Sequence, residues 1–81
     1  MIYNIDNILD NITNELFNAT LKYSKFNSFH EGYAVILEEL DELWNEVKKK
    51  PHLIDKDNMR KEAIQIATMA IRFIIDLCDK E

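Results

Sequence analysis

Apolar residues recur every three or four positions along most of the chain, which is the spacing that places side chains on one face of an α-helix. The first such segment predicts helix one, over residues 4–22. Its apolar positions are Ile5, Ile8, Leu9, Ile12, Leu16, Phe17 and Leu21. The segment ends in KYSKFNS, which contains neither Gly nor Pro, so the end of helix one is less sharply marked than its body.

Helix two is predicted over residues 29–49, and the sequence marks both of its ends. SFHE is a capping box, in which the Ser28 hydroxyl accepts from the N–H of Glu31 and the Glu31 carboxylate accepts from the N–H of Ser28. Three lysines and Pro51 end the helix, because cations suit the negative end of its dipole and Pro cannot continue it. The apolar positions that we expect to be buried are Tyr33, Ile36, Leu37, Leu40, Leu43, Trp44 and Val47.

Helix three is predicted over residues 58–79, with Asp55 or Asp57 as its cap. Nearly every residue from 63 to 78 is apolar, and such a helix is normally enclosed by its neighbours. Its main polar positions fall in one stripe and are Glu62, Gln65, Arg72 and Asp76. The pattern therefore predicts an all-α bundle of three main helices, with helix three in the centre and a single domain over residues 1–81.

The composition predicts that the chain assembles with further copies of itself. It has 81 residues, of which 47% are hydrophobic and 31% are charged, as in a globular domain. A domain of this length buries only about 60% of the surface of its unfolded chain. Part of this apolar content is therefore expected to lie in a homodimer or higher homo-oligomer.

The charge balance and the single cysteine narrow the possible partners and location. A formal charge of −5 argues against binding to nucleic acid, whose phosphates are bound by clustered Lys and Arg. Charged residues interrupt the apolar run of residues 63–78, which makes it unsuitable as a membrane span. Cys78 has no partner for an internal disulfide, and the first residues are too polar for a signal peptide, so we expect a cytoplasmic protein.

Helix two also carries a row of carboxylates. Glu39 and Glu42 lie one turn apart, with Glu46 between them in angle, and Val35 in the same row indicates that this face is partly covered. Two carboxylates about 5–6 Å apart repel by roughly 3 kcal/mol at an effective dielectric constant of 20. Solvent, salt and the lysines that follow can compensate, as can a hard divalent cation. The spacing alone favours a solvated face, because charged rows on helices usually face water. Glu62 adds another oxygen if helices two and three pack side by side.

Two motifs on these helices resemble a known family. EELDE at residues 38–42 and EAIQ at residues 62–65 are similar to the EExxE…ExxD signature of the MazG-like all-α nucleoside triphosphate pyrophosphohydrolases, especially their short phage and bacterial members. The resemblance covers helices two and three. It implies a helical dimer or higher oligomer that holds Mg²⁺, or alternatively Mn²⁺, on carboxylates of two antiparallel helices. It also implies cleavage between the α- and β-phosphates, which yields a monophosphate and pyrophosphate.

Carried over position by position, the resemblance makes Glu39, Glu42 and Glu62 metal ligands and Glu38 a supporting or water-orienting acid. Gln65 stands where the family has Asp, and only its amide oxygen can bind a metal. The lost charge is expected to weaken metal binding and activation of water. Two functions stay open: a Mg²⁺-dependent pyrophosphohydrolase, or a degraded nucleotide-binding protein that sequesters a nucleotide, such as a phage-encoded sponge for a bacterial defence signal.

Four cationic or titratable side chains are candidates for contacting the phosphates of a nucleotide ligand. They are Lys22, Lys25, His30 and Arg72. Exposed lysines and a histidine in the first turn of a helix usually have no such specific role. Arg72 lies on an otherwise apolar helix and needs an anionic or hydrogen-bonding partner, which we expect on helix two.

The remaining candidates have simpler structural interpretations. Trp44 and Tyr33 could stack on a base, but their place in the apolar stripe favours packing in the core. Cys78 is expected to be a small core residue. Gly32 is expected to allow a close approach between helices.

Overall fold

Three helices form most of the chain in the computed structural model, which describes residues 4–80. Helix α1 spans Ile5–Lys22, α2 spans Phe29–Val47 and α3 spans Lys56–Phe73. A 3₁₀ turn, Pro51–Leu53, precedes α3, and a π-helical segment, Ile74–Cys78, continues it. No strand occurs within residues 4–80, so the prediction of an all-α fold with three main helices is confirmed.

The capping box at the start of α2 is half as predicted. The Ser28 Oγ accepts from the N–H of Glu31 at 3.0 Å. The reciprocal prediction is wrong by one residue, because the Glu31 carboxylate accepts from the N–H of Asn27 at 2.8 Å instead of from that of Ser28. The carboxylate thus fixes the backbone just before the cap.

Asp55, one of the two predicted caps, starts α3. Its Oδ1 accepts from the N–H groups of Asp57 at 3.0 Å and Asn58 at 3.1 Å, which satisfies two of the unpaired donors of the first turn. The helix therefore begins at Lys56, two residues earlier than predicted.

Helix α3 lies at the centre of the fold, as predicted, because it packs against both α1 and α2. The connection between α1 and α2 contributes Phe26 to the core, where it meets Ala19 of α1 and Met69 of α3. The side chains that pack around these three residues are Val35, Ile36, Phe73 and Leu77. One cluster thus joins all three helices and the first connection.

Gly32 brings α2 close to the end of α3, as predicted. A Cβ at this position would lie 2.6 Å from Cδ2 of Phe73 and 3.0 Å from Cδ1 of Leu77. These distances are below normal van der Waals contact, so a larger residue would force the Phe73 ring or the helices to shift. Phe73 also packs against Phe29, with ring centroids 6.3 Å apart.

The rotation of α2 about its axis differs from the prediction. The half-buried side includes Val35 and the acidic Glu39 and Glu46, whereas most of the predicted core stripe faces outwards. The outward apolar residues are Tyr33, Leu37, Leu40, Trp44 and Val47, with exposed fractions from 41% to 63%. Core packing of Trp44 and Tyr33 is therefore not found, because α3 covers the other side of the helix.

The single chain is more extended than its length requires. Its accessible surface is 6424 Å², whereas a monomer of 9.6 kDa typically exposes about 5,100 Å². Its radius of gyration is 14.1 Å, against about 11.7 Å for a compact domain of 81 residues. Apolar side chains of α1, α2 and the end of α3 account for part of this exposed surface. In residues 4–80, no helix combines the length and the apolar character that crossing a membrane requires.

The end of α3 holds the connection between α1 and α2 through buried polar groups. Arg72 donates from Nη2 to the carbonyl of Ser24 at 2.8 Å, and its guanidinium lies 4.5 Å from the centre of the Phe26 ring. The same Nη2 is 3.8 Å from Oδ2 of Asp76. The prediction that Arg72 pairs with an acid of helix two is therefore wrong, because its partners are on the connection and on its own helix.

Cys78, at the end of the π-helical segment, is exposed instead of packed in the core. The segment ends at this residue, and the Ile74 and Ile75 side chains before it are about half exposed as well. The apolar run of helix three is thus enclosed only in part by the single chain.

Candidate functional site

Three carboxylates from α2 and α3 converge on one point. Glu39 and Glu42 lie one turn apart on α2, and Glu62 joins them from the facing side of α3. One oxygen from each carboxylate lies within 4.8 Å of the other two. Glu62 was predicted to contribute an oxygen if helices two and three pack side by side, and the structure contains this packing.

This arrangement disfavours the charged forms of Glu39 and Glu62. Partial burial and the neighbouring Glu42 raise the pKa of Glu39 to about 7. Burial and Glu42 likewise raise the pKa of Glu62. In addition, the Oε2 atom of Glu62 is buried without a hydrogen-bond partner in the described part of the chain. A positively charged group that accepts lone pairs from these oxygens would therefore stabilise the cluster.

Among the carboxylates of this acidic row, only the last one forms an ion pair with a lysine in the described part of the chain. Lys49 forms an ion pair with Glu46, with Nζ 2.9 Å from Oε1. Among residues 4–80, no Lys or Arg forms an ion pair with Glu39, Glu42 or Glu62. Lys49 therefore neutralises Glu46. The charge of Lys61 partly offsets the rise in the pKa of Glu62 without forming an ion pair with it.

A wide cleft lies between α1 and α2, with α3 as its floor. Its volume is about 850 Å³, which lies in the range of small-molecule sites. Acidic residues on one side include Glu38 and Glu39, so the cleft adjoins the carboxylate cluster. Lys22, Tyr23 and Arg72 also line it. The cleft thus combines acidic, cationic and aromatic groups around one open volume.

The four predicted phosphate contacts do not all lie in this cleft. Lys22 and Arg72 line it, whereas Lys25 and His30 are exposed residues outside its described lining. Arg72 is only 6% exposed, and its guanidinium already bonds Ser24. Lys22 is therefore the most accessible of these cations to a ligand in the cleft.

Gln65 lies at the wall between the main cleft and a smaller cavity of about 330 Å³. Its Nε2 donates to Oε2 of Glu15, on α1, at 2.7 Å. Glu15 lines both cavities as well. Glu15 was not predictable from the sequence, because the contact joins residues far apart in the chain and depends on the rotation of α1.

Glu31 also lines the main cleft, although the sequence predicted only a capping role for it. Its carboxylate is already an acceptor for the N–H of Asn27. Phe26 and Met69 supply apolar surface to the cleft. The periodicity of apolar residues within single helices did not predict this, because the two residues belong to different elements.

Comparisons with known proteins do not place the chain in a family. No family model matches it, and no curated protein or solved structure matches it either. The candidate site consists of a carboxylate triad on two helices, beside an open cleft with cationic and aromatic walls.

Proposed function

We propose that this protein binds a nucleotide together with Mg²⁺, or with Mn²⁺ as an alternative, and hydrolyses a nucleoside triphosphate to a monophosphate and pyrophosphate. The convergence of Glu39, Glu42 and Glu62 beside the cleft is the observation that supports this function best. The same residues correspond to the metal ligands that the resemblance to MazG-like pyrophosphohydrolases implies. The proposed setting is the cytoplasm, where nucleoside triphosphates are abundant.

The donor set suits a hard divalent cation. Mg²⁺ and Mn²⁺ prefer oxygen ligands, and all three converging groups are carboxylates. The unpartnered Oε2 of Glu62 has a lone pair to donate, and a cation would offset the repulsion that raises the pKa of Glu39. When bound, the cation would neutralise phosphate charge and lower the pKa of a coordinated water.

The remaining residues have roles that follow from their positions. Glu38 is exposed in the cleft next to Glu39 and can accept a proton from an attacking water. Lys22 can contact a phosphate, and Tyr23 offers an aromatic face for a base. In the reaction, water attacks the α-phosphorus, the bond to the bridging oxygen of the β-phosphate breaks, and pyrophosphate leaves.

Pyrophosphate release from a panel of nucleoside triphosphates, with Mg²⁺ or Mn²⁺, tests the proposal. Glu39→Gln and Glu62→Gln should each lower the rate by at least about tenfold, because each removes a proposed ligand. Asp41→Asn is the matched control: it removes one exposed charge from the same helix, outside the triad, and should change the rate less than twofold. Absence of turnover at high protein concentration would refute hydrolysis.

A second function is favoured by Gln65, which brings no charge to the site. In this alternative the cleft captures a nucleotide without cleaving it, as a phage-encoded sponge for a bacterial defence signal would. Calorimetry with EDTA distinguishes the two functions. Tight binding that survives EDTA, with the nucleotide recovered intact, supports capture, whereas failure to bind any nucleotide rejects both functions.

The proposed assembly is a homodimer or higher homo-oligomer. The outward residues of α2, namely Tyr33, Leu37, Leu40, Trp44 and Val47, alternate by four and three positions, which is the spacing of a coiled-coil seam. This set is called the α2 stripe below. A second copy of the chain presents the same stripe, so a twofold arrangement would bury both. The accessible surface of the single chain exceeds that of a typical monomer of this mass. The excess is larger than the roughly 800 Å² that each partner buries in a standard interface, which supports the proposed assembly.

A further inference from the structure

The residues that lie directly opposite the cleft are uncharged on all three helices. A step of two residues turns an α-helix by about 200°, so the residue two positions from one that lines the cleft lies on the other side of its helix. On α2 the cleft is lined by Glu31, Val35 and Glu38. The residues two positions after these belong to the α2 stripe and are Tyr33, Leu37 and Leu40. The α2 stripe therefore faces away from the cleft.

The same relation holds on α3, where the opposite side carries small side chains. The cleft is lined on this helix by Gln65, Met69 and Arg72. The residues two positions before these are Ala63, Ala67 and Ala70. The first of these alanines is exposed and the other two are only half-buried, so the single chain covers this side of α3 incompletely. A helix of another chain can approach α3 closely here, because the distance between packed helices depends on the size of the side chains at the contact.

On α1, the opposite side is apolar or carries hydroxyl groups that are already bonded. The two cavities are lined by Asn11, Glu15, Asn18 and Lys22, and the residues two positions before these are Leu9, Thr13, Leu16 and Thr20. Thr13 Oγ1 donates to the carbonyl of Leu9 and Thr20 Oγ1 to that of Leu16, each at 2.8 Å. Burial of this side under another chain would therefore leave neither hydroxyl donor unsatisfied.

We propose that these three helix sides form one docking surface, the back face, on which a second copy of the chain packs. The back face consists of the α2 stripe, Leu9, Thr13, Leu16 and Thr20 of α1, and Ala63, Ala67 and Ala70 of α3. It is continuous because α3 packs against both other helices. This inference rests on the proposed assembly and extends it from one helix to three.

The size of the back face suits a stable dimer better than the α2 stripe alone does. The α2 stripe contributes only five residues, whereas a standard interface uses about 20–30 residues of each partner. The chain measures 47 Å by 31 Å along its two longer axes. A face of these dimensions can supply the roughly 800 Å² that each partner buries in a standard interface.

The charge distribution favours a second copy as the occupant of the back face. Two chains that each carry a formal charge of −5 repel each other wherever their acidic residues meet. The acidic residues that line the cleft are Glu15, Glu31, Glu38 and Glu39. No residue of the back face is charged, so two copies can meet there without this repulsion. Both clefts of the dimer would then face outwards, away from the partner.

Thiol labelling tests the position of the interface without requiring any variant to lose its fold. The natural cysteine is first removed by Cys78→Ser, and single cysteines are then introduced at exposed positions. Ala63→Cys on α3 and Leu9→Cys on α1 should react with N-ethylmaleimide about tenfold more slowly at high protein concentration than at a dilution that yields monomer, because the partner covers them. Asn18→Cys is the matched control: it is exposed on the cleft side of α1, and its rate should not depend on protein concentration.

Sedimentation velocity of the same proteins separates this inference from the proposed assembly. Protection of both new cysteines in a protein that dimerises supports the back face. If the protein dimerises but either cysteine stays as reactive as in the monomer, the back face is overturned and an assembly through the α2 stripe alone stands. A protein that remains monomeric at high concentration overturns both, and the back face would then bind a different protein or none.

A charge on α3 provides a second measurement. Ala63→Glu introduces a carboxylate at an exposed residue outside the α2 stripe, and it should shift the sedimenting species from dimer to monomer. Asn18→Glu adds the same charge on the cleft side and should leave the dimer intact. A dimer that persists in Ala63→Glu would contradict the back face. Neither measurement involves a nucleotide or a metal, so its outcome is independent of the proposed hydrolysis.

Discussion

The buried Asp76 carboxylate accepts a hydrogen bond from the backbone N–H of Phe26 at 3.1 Å, so the end of helix three holds the connection that leads from α1 to α2. Arg72, one turn earlier, holds the same connection through the carbonyl of Ser24. The two contacts position the residues that form one end of the cleft. Stability and cleft shape therefore depend on the same pair of buried side chains.

Replacing Arg72 should destabilise the protein strongly. Arg72→Met keeps much of the side-chain volume but leaves the Ser24 carbonyl without its donor and the buried Asp76 without its cationic neighbour. We expect the free energy of unfolding to fall by about 2–4 kcal/mol in urea denaturation. Lys56→Met is the control, because Lys56 is exposed on the same helix, and it should cost less than about 0.5 kcal/mol. Equal losses in the two variants would contradict this assignment.

Gly32→Ala should lower stability even though Ala is the better helix former. The gain in helix propensity is about 1 kcal/mol, but the new Cβ would lie 2.6 Å from the Phe73 ring, and overpacking typically costs about 1–3 kcal/mol. A net loss near 1 kcal/mol is expected from thermal or urea unfolding. Combining the change with Phe73→Leu should recover part of the loss. An increase in stability on Gly32→Ala alone would show that the ring moves without cost.

The raised pKa of Glu39 predicts a particular pH dependence of stability. Between its ordinary value of 4.5 and its folded value of about 7, the folded state binds more protons at Glu39 than the unfolded state. The free energy of unfolding should therefore decrease as the pH rises through this interval, by roughly 1 kcal/mol once solvent screening is allowed for. Urea denaturation at about pH 5 and about pH 8 measures this difference.

Glu39→Gln is the matched variant for that experiment, because it removes the titrating group and keeps the size of the side chain. Its free energy of unfolding should lack the part of the pH dependence that Glu39 causes. It should also be more stable than the natural protein at the higher pH. Mg²⁺ should stabilise the natural protein more at the higher pH, since a cation competes with the proton for the carboxylate. The pH interpretation is wrong if both proteins show the same dependence.

The α2 stripe gives a prediction about assembly. Leu40 is 50% exposed at the middle of the stripe, so Leu40→Glu should leave the helices of one chain intact and disrupt its pairing with a second copy. Sedimentation velocity should show a shift to monomer. Leu53→Glu introduces the same charge at a residue that is 56% exposed in the connection before α3, and it should leave the assembly unchanged. A natural protein that sediments as a monomer at high concentration would reject the assembly.

The local features of the fold were predictable from the sequence because they depend on neighbouring residues. The Ser28 cap and the Asp55 cap are recognised by residues within three positions of each other, and the three helices follow from periodicity. The π-helical segment was not predictable in this way. It contains Asp76, whose contact with Phe26 joins residues far apart in the chain and is encoded by no local pattern.

The rotation of α2 shows the limit of periodicity. The helix has two candidate inner sides, and the apolar one was expected to be buried, whereas Val35 and Glu39 lie on the side that meets α3. An apolar stripe indicates that a surface is covered, but it does not indicate whether the cover is the same chain. The triad was anticipated only through motif spacing, and the Glu15–Gln65 contact required the packing of α1 on α3.

A backbone hydrogen bond of the π-helical segment Ile74–Cys78 spans five residues, one more than in an α-helix. Deleting one residue, such as Ile75, would allow the α-helical ladder of α3 to continue without interruption. The deletion would also turn Asp76 by about 100° around the helix axis, away from the backbone of Phe26. The shortened protein would thus have a more regular helix but a lower stability. The number of residues in this segment is therefore as important as its composition.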